Sequence, residues 1–465
     1  MKPSNRLLYE YFEEYASERG NDTFLFDEKI CYTVARAFNI AKSLARQLQN
    51  AGIKRGDFVA IKAERTPRTI LLFYALQFIG GVAVLRDPHE NTDDKIRIID
   101  DRLSLGKTET VLAFDERDVS GLRLAAKSRS TSAVIFTSGS TGEKKAVCLS
   151  QYNFINNSLD TLHIGGYRED DVNILIVPVH HVFGLALIVT AVVAKHGIFV
   201  PKSVETDYVI DCMIKYNVTR LNGVPSLYLA LAANTRAEEV KGLRCGLIGG
   251  APCSAEQFRK IEQKLGVTLV PVYGMSECIG ISCGDYRDSI ENRCDSVGRI
   301  YSMNTLKIES DGEILIKSPA MAAGYLDGGS VADPEGWLHT GDLGYLDGAG
   351  FLHVSGRKKD IIIRNGNNIS AAKIEAALLG LSYIEGAAAV AASDERAGEI
   401  PCAMVALKAG EKRTEEEILR DLTRFLTKIE MPVRISPTEK LPLTSTGKTD
   451  KEKIKKFFSE SRKIK

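Results

Sequence analysis

The sequence predicts an α/β protein. A large N-terminal domain of layered α/β subdomains carries a small β-rich subdomain, and a small α+β C-terminal domain follows. Three observations lead there. Helical and strand patterns alternate from the N-terminus to about Ser296, the signature of α/β layers with a largely parallel sheet. Past Ser296 the texture turns to short strands and glycine turns, "SVGRI", "GEILIKSP" and "GYLDGAGFLHVSGRKKD". From Asp360 a compact unit mixes strands with one well-marked helix. The charged "GRKKD" at Gly356 to Asp360 is the candidate boundary, giving domains 1–357 and 358–465.

The elements follow in order. "VARAFNIAKSLARQLQNAG" places Val34, Phe38, Ala41, Leu44, Ala45 and Leu48 on one helical face and stops near Gly52. "GDFVAIKA" reads as a strand, "RTILLFYALQFIGG" as a helix and "VAVL" as a strand. Further on come "NILIVPV", an apolar helix from Gly184, then "RLNGVP", "CGLIGGAP" and "TLVPVYG". Ligands of such sheets sit beyond the carboxyl ends of strands. The turns at Thr137, at Gly249 to Pro252 and at Tyr273 to Glu277 each follow a strand, so one sheet edge is expected to carry all three. In the C-terminal part "IIIRNGNNI" and "AMVAL" read as strands. "TEEEILRDLTRFL" reads as a helix capped by Thr414 and Glu417 and buried along Ile418, Leu422, Phe425 and Leu426.

Composition excludes several classes. Lys plus Arg number 61 against 60 Asp plus Glu, a net charge of +1, which argues against nucleic acid or an anionic membrane as partner. The longest apolar runs, Val182 to Ala194 and Leu71 to Leu85, are too short to span a bilayer. The first residues are acidic where a signal peptide needs an apolar core, and a cytoplasmic protein is expected. The 9 cysteines are scattered and never spaced as CxxC. His180 and His181, read as an extended segment, would point to opposite faces and make a poor metal pair.

The chemistry begins at "FTSGSTGEKKAV", Phe136 to Val147. Gly139 and Gly142 allow turns that aim consecutive N–H groups into one concavity. Thr137, Ser138, Ser140 and Thr141 add hydroxyls, and Lys144 and Lys145 add charge, so the loop suits a phosphate. It does not fit GxxxxGK[ST]. The later "TGKT" fails as well, because Pro442 stands where the first glycine should be.

Taken together these segments resemble the acyl-adenylate-forming superfamily of acyl-CoA synthetases, peptide-synthetase adenylation domains and luciferases. "FTSGSTGEKKAV" is similar to its phosphate loop, "PVHHVFGL" to its acyl-pocket segment and "YGMSE" to its magnesium segment. "GWLHTGDLGYLDGAGFLHVSGRKKDIIIRNGNNI" resembles its ribose-and-hinge segment. "LPLTSTGK" ends at the position of its mobile catalytic lysine.

The resemblance implies ATP, magnesium and CoA as cofactors. It implies phosphate contacts from Thr137, Ser138, Gly139, Ser140, Thr141, Gly142, Lys145 and Ser276, and a magnesium ligand in Glu277. Tyr273 and Gly274, with Gly250, Ala251 and Pro252, would border the adenine, while Asp342 and Arg357 would hold the ribose. Lys448 would stabilise charge between the carboxylate and the α-phosphate, and His181 would lie near the substrate carboxylate. Lys359 falls at the hinge about which the C-terminal domain turns between adenylation and thioester formation, when Asn365 and Gly366 would line the thiol tunnel. The implied reaction activates a fatty or aryl carboxylic acid and transfers it to CoA, the alternative acceptor being the phosphopantetheine of a carrier protein. A retained fold without catalysis is the reading of a different class, against which Lys448, Glu277, Asp342 and Arg357 stand together. Amino-acid-activating members place an aspartate where this chain has His181, and a buried ammonium without a carboxylate is costly. Departures are Lys144 and Ala146 for proline and glycine, Ala371 and Lys373 for proline and glutamate, and a short stretch before the phosphate loop.

Overall fold

The computed structural model describes residues 1–90, 94–137, 144–443 and 449–460. It comprises two compact units, Met1–Leu306 with Ile316–Leu338, and Lys307–Leu315 with His339–Lys465.

The first unit contains two large mixed sheets. The nine-stranded sheet runs Arg299–Ile300, Cys278–Cys283, Thr268–Met275, Cys245–Gly249, Arg220–Leu221, Val172–Ile174, Gly197–Phe199, Thr23–Phe26, Cys31–Thr33. The eight-stranded sheet runs Gly324–Tyr325, Ala146–Ser150, Thr131–Phe136, Val82–Arg86, Phe58–Lys62, Ile96–Ile99, Arg102–Leu105, Thr108–Val111. Each has parallel strands in the middle and antiparallel strands toward its edges. The expectation of one sheet edge is thereby corrected. The turn at Thr137 leaves the eight-stranded sheet, whereas those after Gly249 and around Glu277 belong to the nine-stranded one. Alternation of helix and strand cannot tell one sheet from two.

The helices follow from their sequences. Val34–Asn50 starts where the Thr33 hydroxyl accepts from the Arg36 N–H, and every residue of its expected apolar face is buried. Pro67–Ile79 has proline in its first turn, a Thr66 cap, and Gly80 at φ +73° as its left-handed stop. This helix and Val182–Ala194 are apolar on nearly all sides, as helices enclosed between layers are.

Beside the helix Gln151–Ile164 lies a buried charge cluster. Arg220, fully enclosed, donates to the carbonyls of Gly165 and Gly166 at 2.9 Å each, just past the helix C-terminus where a cation is favoured. Its guanidinium lies 3.7 Å from the Tyr167 ring centroid and 3.7 Å from Asp171, which also accepts from Arg244 at 2.7 Å. His196 stacks on Tyr167 at 5.5 Å, and burial pushes its imidazole down to about 4.

In the second unit the strands Asn367–Ser370, Ile361–Arg364, Gly398–Leu407 and Ile384–Asp394 form a sheet, with Arg434–Thr438 parallel to Gly398–Leu407. Helices Ala371–Leu379 and Glu415–Leu422 cover one face, and Lys451–Glu460 covers the other. Thr414 and Glu417 cap Glu415–Leu422 reciprocally, as expected. Phe425 does not join the buried stripe. The helix ends at Leu422, its period is lost, and Phe425 lies exposed while Leu426 is buried. "IIIRNGNNI" is two strands, because Asn365 and Gly366 at φ +49° and +76° make a tight hairpin turn. The second unit also holds most of a four-stranded sheet, ordered Thr305–Ile308, Glu313–Lys317, Leu338–Leu346, Leu352–Arg357.

Candidate active site

In the first unit, strands Thr131–Phe136 and Ala146–Ser150 are antiparallel and bring the two ends of the glycine loop together. The Thr137 N–H donates to the Lys145 carbonyl at 2.9 Å, and the Lys145 N–H donates to Thr137 Oγ1 at 3.3 Å. Ser138, Gly139, Ser140, Thr141 and Gly142 lie outside the described residues. Lys144 spends its charge on Glu90. Lys145 pairs with no carboxylate among the described residues; its ammonium lies 5.0 Å from the centroid of the Tyr325 ring. That leaves the Lys145 charge available to a phosphate.

Strands Thr268–Met275 and Cys278–Cys283 pair through Met275 and Cys278, so Ser276 and Glu277 sit at the tip of a tight hairpin. The hairpin requires glycine at 274, since a Cβ there would fall 2.1 Å from the Ile279 carbonyl oxygen. Glu277 is half-buried, and its Oε1 accepts from the Tyr325 hydroxyl at 3.1 Å. Burial, then the Glu277 charge, raises the Tyr325 phenol, which therefore stays a donor. Gly249 pairs with Val272, which places Gly250, Ala251 and Pro252 beside Tyr273 at the ends of adjacent parallel strands.

His181 keeps extended backbone angles just before helix Val182–Ala194, but its N–H donates to the Pro178 carbonyl at 3.2 Å and closes a turn through His180. The two histidine rings consequently approach to 4.4 Å between centroids instead of facing apart. His180 is largely enclosed: its Nε2 lies 3.8 Å from Asp87, its buried Nδ1 has no hydrogen-bond partner, and burial lowers its pKa.

Glu277 suits magnesium. A hard cation of this size is held by one or two carboxylates plus phosphate oxygens, and Glu277 has one oxygen occupied by Tyr325 and no cationic side chain among its described partners. Among the described residues no group of three or more His, Cys, Asp or Glu could hold a metal by itself.

In the second unit Asp342 and Arg357 face each other across paired strands, with Nε to Oδ1 at 3.0 Å. Asp342 is buried and Arg357 is more than half exposed. Sequence reasoning missed the group that sets their turn, Glu313. Its carboxylate accepts from the Gly341 N–H at 3.1 Å and from Lys358 Nζ at 2.9 Å, while the Thr340 hydroxyl donates to the Ile314 carbonyl. A buried acid inside the strand "GEILIK" was the one available signal. Gly366 lies at the tip of the hairpin turn. Lys448 lies outside the described residues. Beyond it, Lys451 is held between Asp360 at 3.0 Å and Glu375 at 2.9 Å. Lys373, one of the departures, pairs with Glu430 at 2.6 Å.

The AMP-binding enzyme family model matches residues 12–101 and 89–326, and the model of the AMP-binding enzyme C-terminal domain matches 373–448. The chain belongs to the AMP-binding enzyme family. A 2-succinylbenzoate–CoA ligase of Bacillus cereus is 30% identical over 446 residues, 90% of this chain and 92% of that one. Two solved structures share the fold. ATP-bound MatB from Rhodopseudomonas palustris is 23% identical with a TM-score of 0.87, covering 98% of this chain and 100% of its own. The o-succinylbenzoate CoA synthetase MenE of Bacillus subtilis, in complex with its acyl-adenylate, is 23% identical with a TM-score of 0.82, covering 98% and 99%. No helix among the described residues is long and apolar enough to cross a membrane.

Proposed function

We propose that the chain adenylates an aromatic carboxylic acid of the succinylbenzoate type, with magnesium-ATP, and passes the acyl group to CoA. The observation that carries the substrate class is the end-to-end similarity to 2-succinylbenzoate–CoA ligases. The apolar segment after His181, which lacks an acid for an amino group, supports it.

The two steps ask different things of the chain. First a carboxylate oxygen attacks the α-phosphorus, an O–P bond forms, and the bond to pyrophosphate breaks. Both reactants are anions, so the residues must neutralise charge while aligning them. Lys145 and the glycine-loop donors take the phosphates, and Ser276 adds a hydroxyl. Glu277 holds the magnesium, which when bound offsets charge on the phosphate oxygens. Asp342 accepts from the ribose hydroxyls, and Tyr273 and the 250–252 backbone flank the adenine. Lys448 stabilises the charge that grows during attack, and His181 orients the substrate carboxylate. Then the thiol sulfur attacks the acyl carbon, AMP departs, and the thiol proton is lost. Lys359 is the pivot between the steps, and Gly366 borders the thiol.

Pyrophosphate release should be measured with 2-succinylbenzoate, simple benzoates, fatty acids and amino acids, with and without CoA, and products identified by mass. CoA-dependent turnover with an aryl-CoA product is expected. A burst of aryl-adenylate indifferent to CoA would move the acceptor to a carrier protein, and turnover with fatty acids alone would overturn the substrate class.

A further inference from the structure

Tyr325 lies in a short segment of the first unit that touches both the exit of the glycine loop and the Glu277 hairpin. Strand Gly324–Tyr325 pairs with Ala146–Ser150 at the exit of the glycine loop, Tyr325 opposite Val147, and the Leu326 N–H donates to the Ala146 carbonyl at 2.8 Å. A few residues upstream, the Ala322 N–H donates to the Glu277 carbonyl at 2.8 Å, and Met321 bridges to Cys278. One short segment therefore fixes the spacing between a lysine at the phosphate-loop exit and a carboxylate at the hairpin tip. The Tyr325 side chain fills that space with two distinct contacts: its hydroxyl donates to Glu277 Oε1 at 3.1 Å and its ring lies 5.0 Å from the Lys145 ammonium. Packing alone would be met by phenylalanine. The hydroxyl adds a directed bond to one carboxylate oxygen and leaves the other for a cation.

We infer that Tyr325 is a positioning residue for metal-nucleotide binding: its hydroxyl fixes the rotamer of Glu277, and its ring aims Lys145. The inference rests on Glu277 being the magnesium ligand. A carboxylate held by one donor presents its second oxygen in a fixed direction, so less ordering is left to occur on binding. The ring supplies a weaker and separate effect on the lysine.

The hydroxyl and the ring can be separated. Tyr325→Phe should weaken metal-dependent nucleotide binding about tenfold, the scale of one hydrogen bond to a charged group, while ATP KM at saturating magnesium stays near wild type. Tyr325→Leu should in addition raise that KM several-fold. Tyr325→His, which keeps a ring and a donor, should recover most of the metal affinity lost in Tyr325→Phe. Binding is read without turnover, by titrating Mn2+ into full-length protein with a non-hydrolysable ATP analogue and no acid substrate, and thermal midpoints are measured in parallel. Glu277→Gln serves as reference. If Glu277→Gln abolishes metal-dependent binding while folded Tyr325→Phe binds as wild type, the tyrosine has no positioning role and the inference falls alone. If Glu277→Gln leaves metal binding unchanged, the magnesium reading itself falls and the inference with it. A Tyr325→Phe that merely melts lower, with unchanged metal affinity, also overturns it.

Discussion

Replacing Asp342 by alanine removes a carboxylate that is only 6% exposed and is held by Arg357 at 3.0 Å. The turn around it should survive, because Glu313 grips the Gly341 N–H and Lys358, and Thr340 binds the Ile314 carbonyl, none of them through Asp342. Arg357 is 55% exposed, so water takes up its freed charge at small cost. The loss then falls on the ligand. Two charge-assisted hydrogen bonds to ribose hydroxyls are each worth about 1.5–3 kcal/mol, part of which entering water returns. A net loss of ~3 kcal/mol corresponds to a roughly hundredfold rise in ATP KM. ATP–pyrophosphate exchange reads this directly, and 2′-deoxy-ATP sharpens it. Wild type should use the deoxy analogue about tenfold less well than ATP, whereas Asp342→Ala should treat the two alike. An alanine variant that still discriminates as strongly as wild type would refute the assignment of Asp342 to the ribose.

Other expectations concern Lys448, His196 and Lys451. Lys448→Ala should lower acyl-adenylate formation about a hundred- to a thousandfold, the scale of one preorganised transition-state donor, yet largely spare thioester formation from supplied acyl-adenylate. Equal loss of both steps would sink the two-step assignment. His196, held neutral to about pH 4 by burial, takes up a proton in the unfolded chain near 6.5. Between those values the unfolded state binds more protons, so stability falls as pH drops through the window, by ~3 kcal/mol when complete. His196→Gln should flatten that slope in urea titrations between pH 7.5 and 4.5. Lys451→Met leaves Asp360 and Glu375 facing each other without their cation. It should destabilise the second unit by ~1–3 kcal/mol, discounted for the partial exposure of the site, and a melting curve unchanged from wild type would show the triad to be slack.

What the sequence made legible was local. The apolar face of Val34–Asn50, the Thr414–Glu417 cap and the strand that leads into the glycine-rich segment depend on neighbours a few residues away, and each is present as expected. Phe425 falls outside the buried stripe because the helix stops at Leu422, an end that the apolar period does not mark. The hairpin at Asn365 and Gly366 is masked by the apolar residues on either side, which read as one strand although an Asn-Gly pair is a strong turn signal. The histidine rings meet because a turn closes at His181, which the sequence does not mark. The contacts of Tyr325 and Glu313 are hidden for a different reason. Their partners lie 48 and 45 residues away, and no periodicity or spacing encodes a meeting at that distance.

Lys373 and Glu430 are tied to each other in sign. Glu430, mostly shielded, is pushed down to about 2, chiefly by the lysine. Replacing Lys373 alone by glutamate would set two carboxylates against each other, and reversing Glu430 alone would set two cations together. Only both exchanges restore attraction, so the charge here can be inverted only in concert, whereas a neutral residue at either position loses the pair without creating repulsion.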